Sequence, residues 1–504
     1  MKRTISALLA LMMLVTAVVA CGKKVPDPVE GTTDTQTTVT TESVSDTVVT
    51  EPAETEPVVT ARAEAKDSLP EDLNLEGREV KIFWFSAGDY DINGIGEVSG
   101  DIIMDAVYNR TQSVKERLNV KITDQKASAA KWRDFSQELA NVVASGDDAW
   151  QIVFAGGNAT VQSGRNHLFL DLSDANYLDL DQPWWWSQPM EELSLDGKER
   201  RYLIGDIALS NYLRFSAVFY NKNIYSEKLG DPDDMYKLVL DDNWTLDKMM
   251  ELSEKAYSDL NGDGKVNSGD TYGLLVGARS YIQICDYCVD IPRYYRDDNG
   301  YPVIQWDEER ASLAVEKLCK LIWETNGNAY SETDVAYKAF AARETFFFVN
   351  QFLAALQADL KDMKDDYGII PFPKLDENQE NYMSLIFNSS NVVCVPTTCK
   401  NADDACAVIE AMCAESYRSV IEPFYDTALK IKYSRDAYSG QCMDIIRDSA
   451  AKNFLYEYAE QIGSGAIITD CVIANDSGVV ISKIKNGAVG TKIALEKMIK
   501  KLNG

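Results

Sequence analysis

The segment Asp259-Leu260-Asn261-Gly262-Asp263-Gly264-Lys265-Val266-Asn267-Ser268-Gly269-Asp270 carries the most specific chemistry in the chain. It places oxygen donors at positions 1, 3, 5, 9 and 12 of a loop, with glycine at position 6, where such a loop must turn sharply. Asp259, Asn261, Asp263, the Lys265 carbonyl and Asp270 make an all-oxygen set of the kind calcium selects, with Asn267 acting directly or through water. Asp270 stands where the EF-hand pattern has glutamate, so its shorter side chain predicts monodentate or indirect contact and weaker binding. The alternative is an ordinary surface turn rich in Gly, Asn and Asp.

The rest of the inventory narrows the chemistry by what it omits. His167 is the one histidine, which removes Ser-His, Cys-His and multi-histidine metal chemistry unless that residue serves alone. Apart from Cys21, nine cysteines fall between Cys285 and Cys471, and their odd number and irregular spacing argue against a disulfide framework. Cys285-Asp286-Tyr287-Cys288 is a C-x-x-C without a second pair, and Cys399, Cys406 and Cys413 share one helix face; these thiols read as small core residues. With 79 Asp plus Glu against 50 Lys plus Arg, a function that tracks nucleic-acid phosphates is electrostatically disfavoured.

Aromatic residues are plentiful: 25 Tyr, 16 Phe and 9 Trp. A sugar offers apolar C–H faces and a ring of hydroxyls, so its pocket combines flat aromatic platforms with a few polar groups. Trp184-Trp185-Trp186 follows Pro183 and is the densest aromatic cluster. The candidate ligand contacts are Trp84, Trp185, Trp186, Asp206, Tyr212, Tyr281 and Asn388, near expected strand ends or crossings between lobes. Three adjacent tryptophans cannot all face one ligand, and for each candidate a core position is the competing reading.

The elements that must position these residues follow an export-type leader. Met1-Lys2-Arg3 and an apolar run over residues 8–20 have the zones of a signal peptide, and the run is shorter than the roughly 20 residues of a spanning helix. Val18-Val19-Ala20-Cys21 resembles a bacterial lipobox, which implies that Cys21 becomes the lipidated first residue, anchored at the outer face of the cell membrane. Residues 21–66, rich in Thr, Glu, Pro, Val and Asp, have the composition of a disordered tether. The remaining chain exceeds the size of a single core and predicts two lobes. Strands are expected at 79–86, 120–122 and 151–155, with helices over 101–118 and 131–144 between them, the pattern of a parallel sheet wrapped by helices. Ligands meet such sheets at strand carboxyl ends, which points to the loops 86–90 and 156–158. A second α/β region starts near Phe215, with a helix capped by Thr245 and burying Leu246, Met249, Met250, Ala256 and Tyr257.

The order of these motifs resembles the extracellular solute-binding proteins of ABC importers, in particular the sugar-binding lipoproteins of the family 1 type. The resemblance rests on Phe219-Tyr220-Asn221-Lys222, Trp244-Thr245-Leu246-Asp247-Lys248, Tyr367-Gly368-Ile369-Ile370-Pro371-Phe372-Pro373-Lys374 and Ala414-Glu415-Ser416-Tyr417. Tyr433-Ser434-Arg435-Asp436 and Met443-Asp444-Ile445-Ile446 extend it. It implies a two-lobe, periplasmic-binding-protein-like (type II) α/β fold with a hinge and an interlobe cleft. The implied boundaries are 67–213 for the first lobe, 214–388 for the second, 389–435 for a return to the first, and 436–504 for C-terminal helices of the second. The implied function is non-catalytic capture of a carbohydrate for an ABC permease. Competing readings are a surface glycoside hydrolase, which needs two suitably spaced carboxylates, and a calcium-dependent glycan-adhesion protein. The calcium loop also resembles half of a dockerin, but the second copy a dockerin needs is missing.

Overall fold

The computed structural model describes residues 62–503 except 86–90, 95, 164–165, 357 and 426–437. The leader, Cys21, most of the tether, the loop 86–90 and the Tyr433-Ser434-Arg435-Asp436 motif lie outside the described residues.

Strands β1 (Glu79–Trp84), β2 (Lys121–Lys126) and β3 (Ile152–Gly156) run parallel, with β1 in the middle. Parallel neighbours require a crossover, and the helices Ile102–Leu118 and Trp132–Ser145 supply it. The first helix starts where the Asp101 carboxylate accepts the Ile103 and Met104 N–H groups, both at 3.0 Å. It stops at Asn119 in the left-handed region (φ 46°) and buries Met104, Val107, Arg110, Thr111, Val114 and Leu118. Met104, Val107, Val114 and Leu118 recur at helical spacing, so one apolar stripe of the helix is buried, with Arg110 and Thr111 as polar members of the same face.

A second mixed sheet contains β4 (Ser216–Asn221) and β5 (Tyr272–Gly277). After the small hairpin β6 (Tyr294–Arg296) and β7 (Pro302–Ile304) come β8 (Asn328–Ser331), β9 (Thr345–Gln351) and β10 (Tyr367–Ile370), giving the order β10-β4-β9-β5-β8. The strand β5 is parallel to β8 and β9, whereas β4 is antiparallel to β9 and β10. The helix Leu246–Ala256 packs under this sheet, started by the Thr245 hydroxyl accepting the Lys248 N–H at 3.4 Å. Leu246, Met249, Met250 and Ala256 are buried, while Tyr257 closes the helix half-buried.

Three crossings join the sheets side by side. Strand β11 (Ser384–Leu385) leads into β12 (Asn391–Cys394), which returns to the first sheet antiparallel to β3, and β13 (Ala450–Ala451) pairs with β11. The first crossing joins them through the Phe215–Ile386 bridge and a 2.7 Å bond from the Leu385 N–H to the Ser216 hydroxyl. The tail does not stay with the second lobe, as the implied boundary at 436 had it. Phe454, Leu455, Tyr458, Ile462 and Leu495 pack in the first core, whereas Cys442, Tyr456, Ile468, Cys471 and Ile484 pack in the second. The final helix, Val480–Asn503, has 24 residues and a length of about 36 Å, enough to reach from one core to the other.

The nine described cysteines are all free thiols, eight of them buried and Cys399 half-buried. Burial pushes the Cys288 thiol up to about 11, so the C-x-x-C pair sits as inert packing. Among the described residues no helix is long and apolar enough to cross a membrane.

Candidate functional site

Both sheets direct the carboxyl ends of their parallel strands towards the crossings. On the first sheet these ends are Phe85 after β1 and Gly156-Gly157-Asn158 at the end of β3. The Asn158 N–H donates to the Asn388 carbonyl at 2.7 Å and the Gly157 N–H to the Ser390 carbonyl at 2.9 Å. A Cβ on Gly157 would stand 3.0 Å from the Asn388 oxygen, and one on Gly156 3.1 Å from the Ser389 oxygen. Glycine is therefore what lets the two segments meet. On the second sheet, Tyr281 of the helix Arg279–Tyr287 donates to Asp334 at 3.0 Å, just beyond the end of β8. Arg214 reaches Gln351 at the end of β9 at 3.4 Å, and its carbonyl accepts the Phe387 N–H at 3.2 Å. Residues 387 and 388 thus contact one strand-end face each. A cavity of about 550 Å³ opens on the first face, lined by Phe85, Ala130, Lys131, Trp132, Arg133 and Asn158.

The chain entering this region after residue 90 is pinned by a buried polar network. Asp91 accepts the Ser210 N–H at 2.8 Å, the Ser210 hydroxyl at 2.5 Å and an Asn391 amide N–H at 3.0 Å. Arg110, 1% exposed, donates to the Asp91 and Ile92 carbonyls at 2.5 and 2.8 Å and to the Ser416 hydroxyl at 3.0 Å. Burial pushes the Asp91 carboxyl up to about 6 against these donors and Arg110, and brings Arg110 down to about 10.

Three of the sequence-derived candidates come together elsewhere, at the crossings. Asp206 accepts the Trp186 indole N–H at 2.9 Å and the Tyr212 hydroxyl at 2.8 Å, and the two rings meet edge to face at 5.1 Å. With Arg62, Phe215, Tyr417 and Arg447 among their neighbours, they line a cavity of about 250 Å³. Burial pushes Asp206 up to about 6, opposed by its two donors and by Arg62 and Arg447.

Trp84 and Trp185 are placed differently from their expected contact role. Trp84 is 2% exposed, and its indole N–H is spent on Asp124 at 2.8 Å. Trp185 is buried in the first core, where Glu410 accepts both its N–H at 3.0 Å and that of Trp184 at 3.2 Å. A single buried carboxylate therefore turns two of the three tryptophans inward. Tyr281 and Asn388 belong to the strand-end faces and do not line the smaller cavity. Trp132, Arg133, Arg214 and Asp334 escaped the sequence reading. The usable signal for the first two was their place at the start of a helix directly after a strand.

The loop 259–270 folds around its own donors. Asp259 accepts the Gly262 and Gly264 N–H groups at 2.7 and 2.9 Å, and Asp263 accepts that of Lys265 at 2.8 Å. Asp270 is buried and accepts the Leu260 and Asn267 N–H groups at 3.2 and 3.1 Å. Gly264, at the sixth position, has φ 70°, the sharp turn this loop type requires. The donors fit a hard cation by type, since all are oxygens. Among the described residues, no three Asp, Glu, His or Cys side chains are grouped to hold a metal. A bound calcium would therefore depend on Asn261, the Lys265 carbonyl and Asn267 as well as on the carboxylates.

A profile of the family described as bacterial extracellular solute-binding protein matches residues 103–417. In fold the chain is similar to the apo form of RafE from Streptococcus pneumoniae, with TM-score 0.50 and 13% identity over 82% of this chain and 98% of that one. The GacH receptor of Streptomyces glaucescens, solved unliganded and with acarbose, aligns with TM-score 0.48 and 12% identity over 84% of this chain and 99% of that one. An ABC transporter solute-binding protein from Thermotoga lettingae bound to alpha-D-tagatose aligns with TM-score 0.46 and 13% identity, over 84% and 99%. A search of curated protein sequences returned no match.

Proposed function

Because the chain belongs to the bacterial extracellular solute-binding protein family, we propose that it captures a carbohydrate, an oligosaccharide, between its two sheets and delivers it to an ABC permease. The observation that carries this reading is the meeting of the two strand-end faces at residues 387 and 388, through Arg214 on one side and Asn158 on the other. Aromatic surface from Phe85 and Trp132 lies beside hydrogen-bonding groups on Asn158, with Tyr281 and Asp334 on the opposite sheet, the combination that a sugar's apolar faces and hydroxyls require. Three adjacent crossings permit the hinge closure by which ligand contacts both faces. Asn388 and Tyr281 stay in the contact set. Trp84 and Trp185, already committed to Asp124 and Glu410, leave it. Trp186, Asp206 and Tyr212 satisfy one another and suit bracing of the crossings.

Small-angle scattering against a panel of oligosaccharides is expected to show a smaller radius of gyration with the right sugar, which is recovered intact. Asn158→Ala removes a side-chain partner but keeps the backbone bond to Asn388, and should weaken binding about tenfold, the worth of one hydrogen bond. A cleaved sugar would replace this reading by the glycoside hydrolase.

The loop 259–270 is proposed to hold one calcium through Asp259, Asn261, Asp263, the Lys265 carbonyl and Asp270, with Asn267 acting directly or through water. At a hundredfold excess over its dissociation constant such an ion stabilises the fold by about 2.7 kcal/mol. Chelator should lower the melting temperature, and Asp263→Ala should remove that sensitivity; superimposable melts with calcium and with chelator would refute the site.

The anchor is proposed to be acyl chains on Cys21, because two buried chains hold a protein firmly where one holds it marginally, at about 0.8 kcal/mol per CH₂. Cys21→Ala should move the protein from the membrane fraction to the medium or leave uncleaved precursor. Wild-type protein that washes off membranes without detergent would contradict this.

A further inference from the structure

The larger cavity has a charge opposite to that of the molecule. The chain carries a net charge of -29, yet the ionic groups lining this cavity among the described residues are Lys131 and Arg133, beside Phe85, Trp132 and Asn158. Lys131 has no ion-pair partner among the described residues, and as the residue before the helix Trp132–Ser145 it offers no side-chain cap to the first helical N–H groups. Its charge and the helix start therefore add with the same sign. Arg133 stacks on Trp132 at 4.1 Å and meets Glu460 at 2.7 Å, with the two side chains 65% and 42% exposed. An exposed pair of that kind is weak and exchangeable, so the guanidinium can trade Glu460 for an anion brought by a ligand. A guanidinium fork suits an oxyanion, and the indole beneath it suits the apolar face of a sugar ring.

We propose that the ligand is an anionic saccharide, with an acidic group seated between Lys131 and Arg133 and its ring against Trp132 and Phe85. The proposal rests on the carbohydrate reading and narrows it. A carboxylate on a uronic acid residue and a sulfate ester offer the same oxyanion chemistry, so both are tested.

Titration calorimetry of the full chain with neutral oligosaccharides, oligouronates and sulfated oligosaccharides of matched length separates the outcomes. One acidic set should bind at least about tenfold more tightly than the neutral set, as one or two charge-assisted hydrogen bonds provide. That binding should weaken with added salt, because the two cations are exposed. Lys131→Gln and Arg133→Gln should each lower the acidic affinity about tenfold, change the neutral affinity by a clearly smaller factor, and leave the melting temperature unchanged. Tighter binding of neutral sugars overturns the anionic class and leaves the carbohydrate reading standing. Acidic binding indifferent to both substitutions overturns the site. No binding by any of the three sets overturns the carbohydrate reading itself.

Discussion

Lys452→Met is expected to destabilise the chain by about 3–5 kcal/mol, because it strands a carboxylate in the interior without its cation. Lys452 lies just after β13, at the third crossing, and its ammonium meets the Glu457 carboxylate at 2.7 Å with both side chains 0% exposed. Burial raises the Glu457 carboxyl and Lys452 opposes that rise. The second carboxylate oxygen has no partner, so nothing else is placed to take over when the cation is removed. Replacing both members by apolar residues is a different experiment. Lys452→Met with Glu457→Leu removes both desolvated charges, and exchanges of that type range from neutral to stabilising by about 1–4 kcal/mol. Urea denaturation should therefore rank the double variant well above the single one, while the Gln188 side-chain amide, donating to the carbonyl of residue 452 and accepting its N–H, keeps the crossing in place. A single variant within about 1 kcal/mol of the wild type, the range of exposed pairs, would mean the pair is open to water.

Stability should rise as the pH falls from about 7 towards about 5, the reverse of ordinary acid sensitivity. Burial pushes the Glu410 carboxyl up to about 7 from its ordinary 4.5, although the Trp185 and Trp184 indoles and the Asp179 N–H favour its charged form. A carboxyl raised on folding contributes stability that is complete below its unfolded value and is lost as the pH rises through its folded one. For Glu410 that window runs from 4.5 to about 7, and a difference of that size corresponds to about 3 kcal/mol. Asp91 and Asp206, both raised to about 6 by burial, act in the same sense. Self-repulsion among the groups behind the net charge of -29 also weakens on acidification. Below this window Asp67 and Asp376 work the other way: burial pushes each carboxyl up, but Arg117 and Arg310 hold them below the ordinary value. Melting temperatures between pH 5 and pH 8 would show the trend, with the wild type more stable at the acid end as Glu410 takes up about one proton. Glu410→Gln cannot take up that proton and should flatten the curve. An equal slope in this variant would show that Glu410 does not titrate there.

What could be read along the chain was what neighbouring residues settle among themselves. The Thr245 cap acts on an N–H three residues away, so that helix start was legible, and apolar spacing alone placed the helix that follows Asp101. The alternation of strand and helix over residues 79–156 left a right-handed parallel arrangement as the economical topology, and β1, β2 and β3 adopt the parallel pairing. The buried thiols were legible as packing because their number and spacing suited no framework. The site was decided by residues far apart in sequence. Whether Trp185 faces a ligand or the core depends on Glu410, 225 positions later, and three adjacent indoles carry no local mark of that choice. The cavity at Lys131 and Arg133 exists because the ends of β1 and β3 bring Phe85 and Asn158 beside a helix start. The C-terminal helices divide between two cores because the third crossing returns the chain to the first sheet, and apolar periodicity says only that a face is buried, not against which sheet. Caps and periodicity act over one helical turn, whereas a binding site needs side chains that only chain reversal brings together.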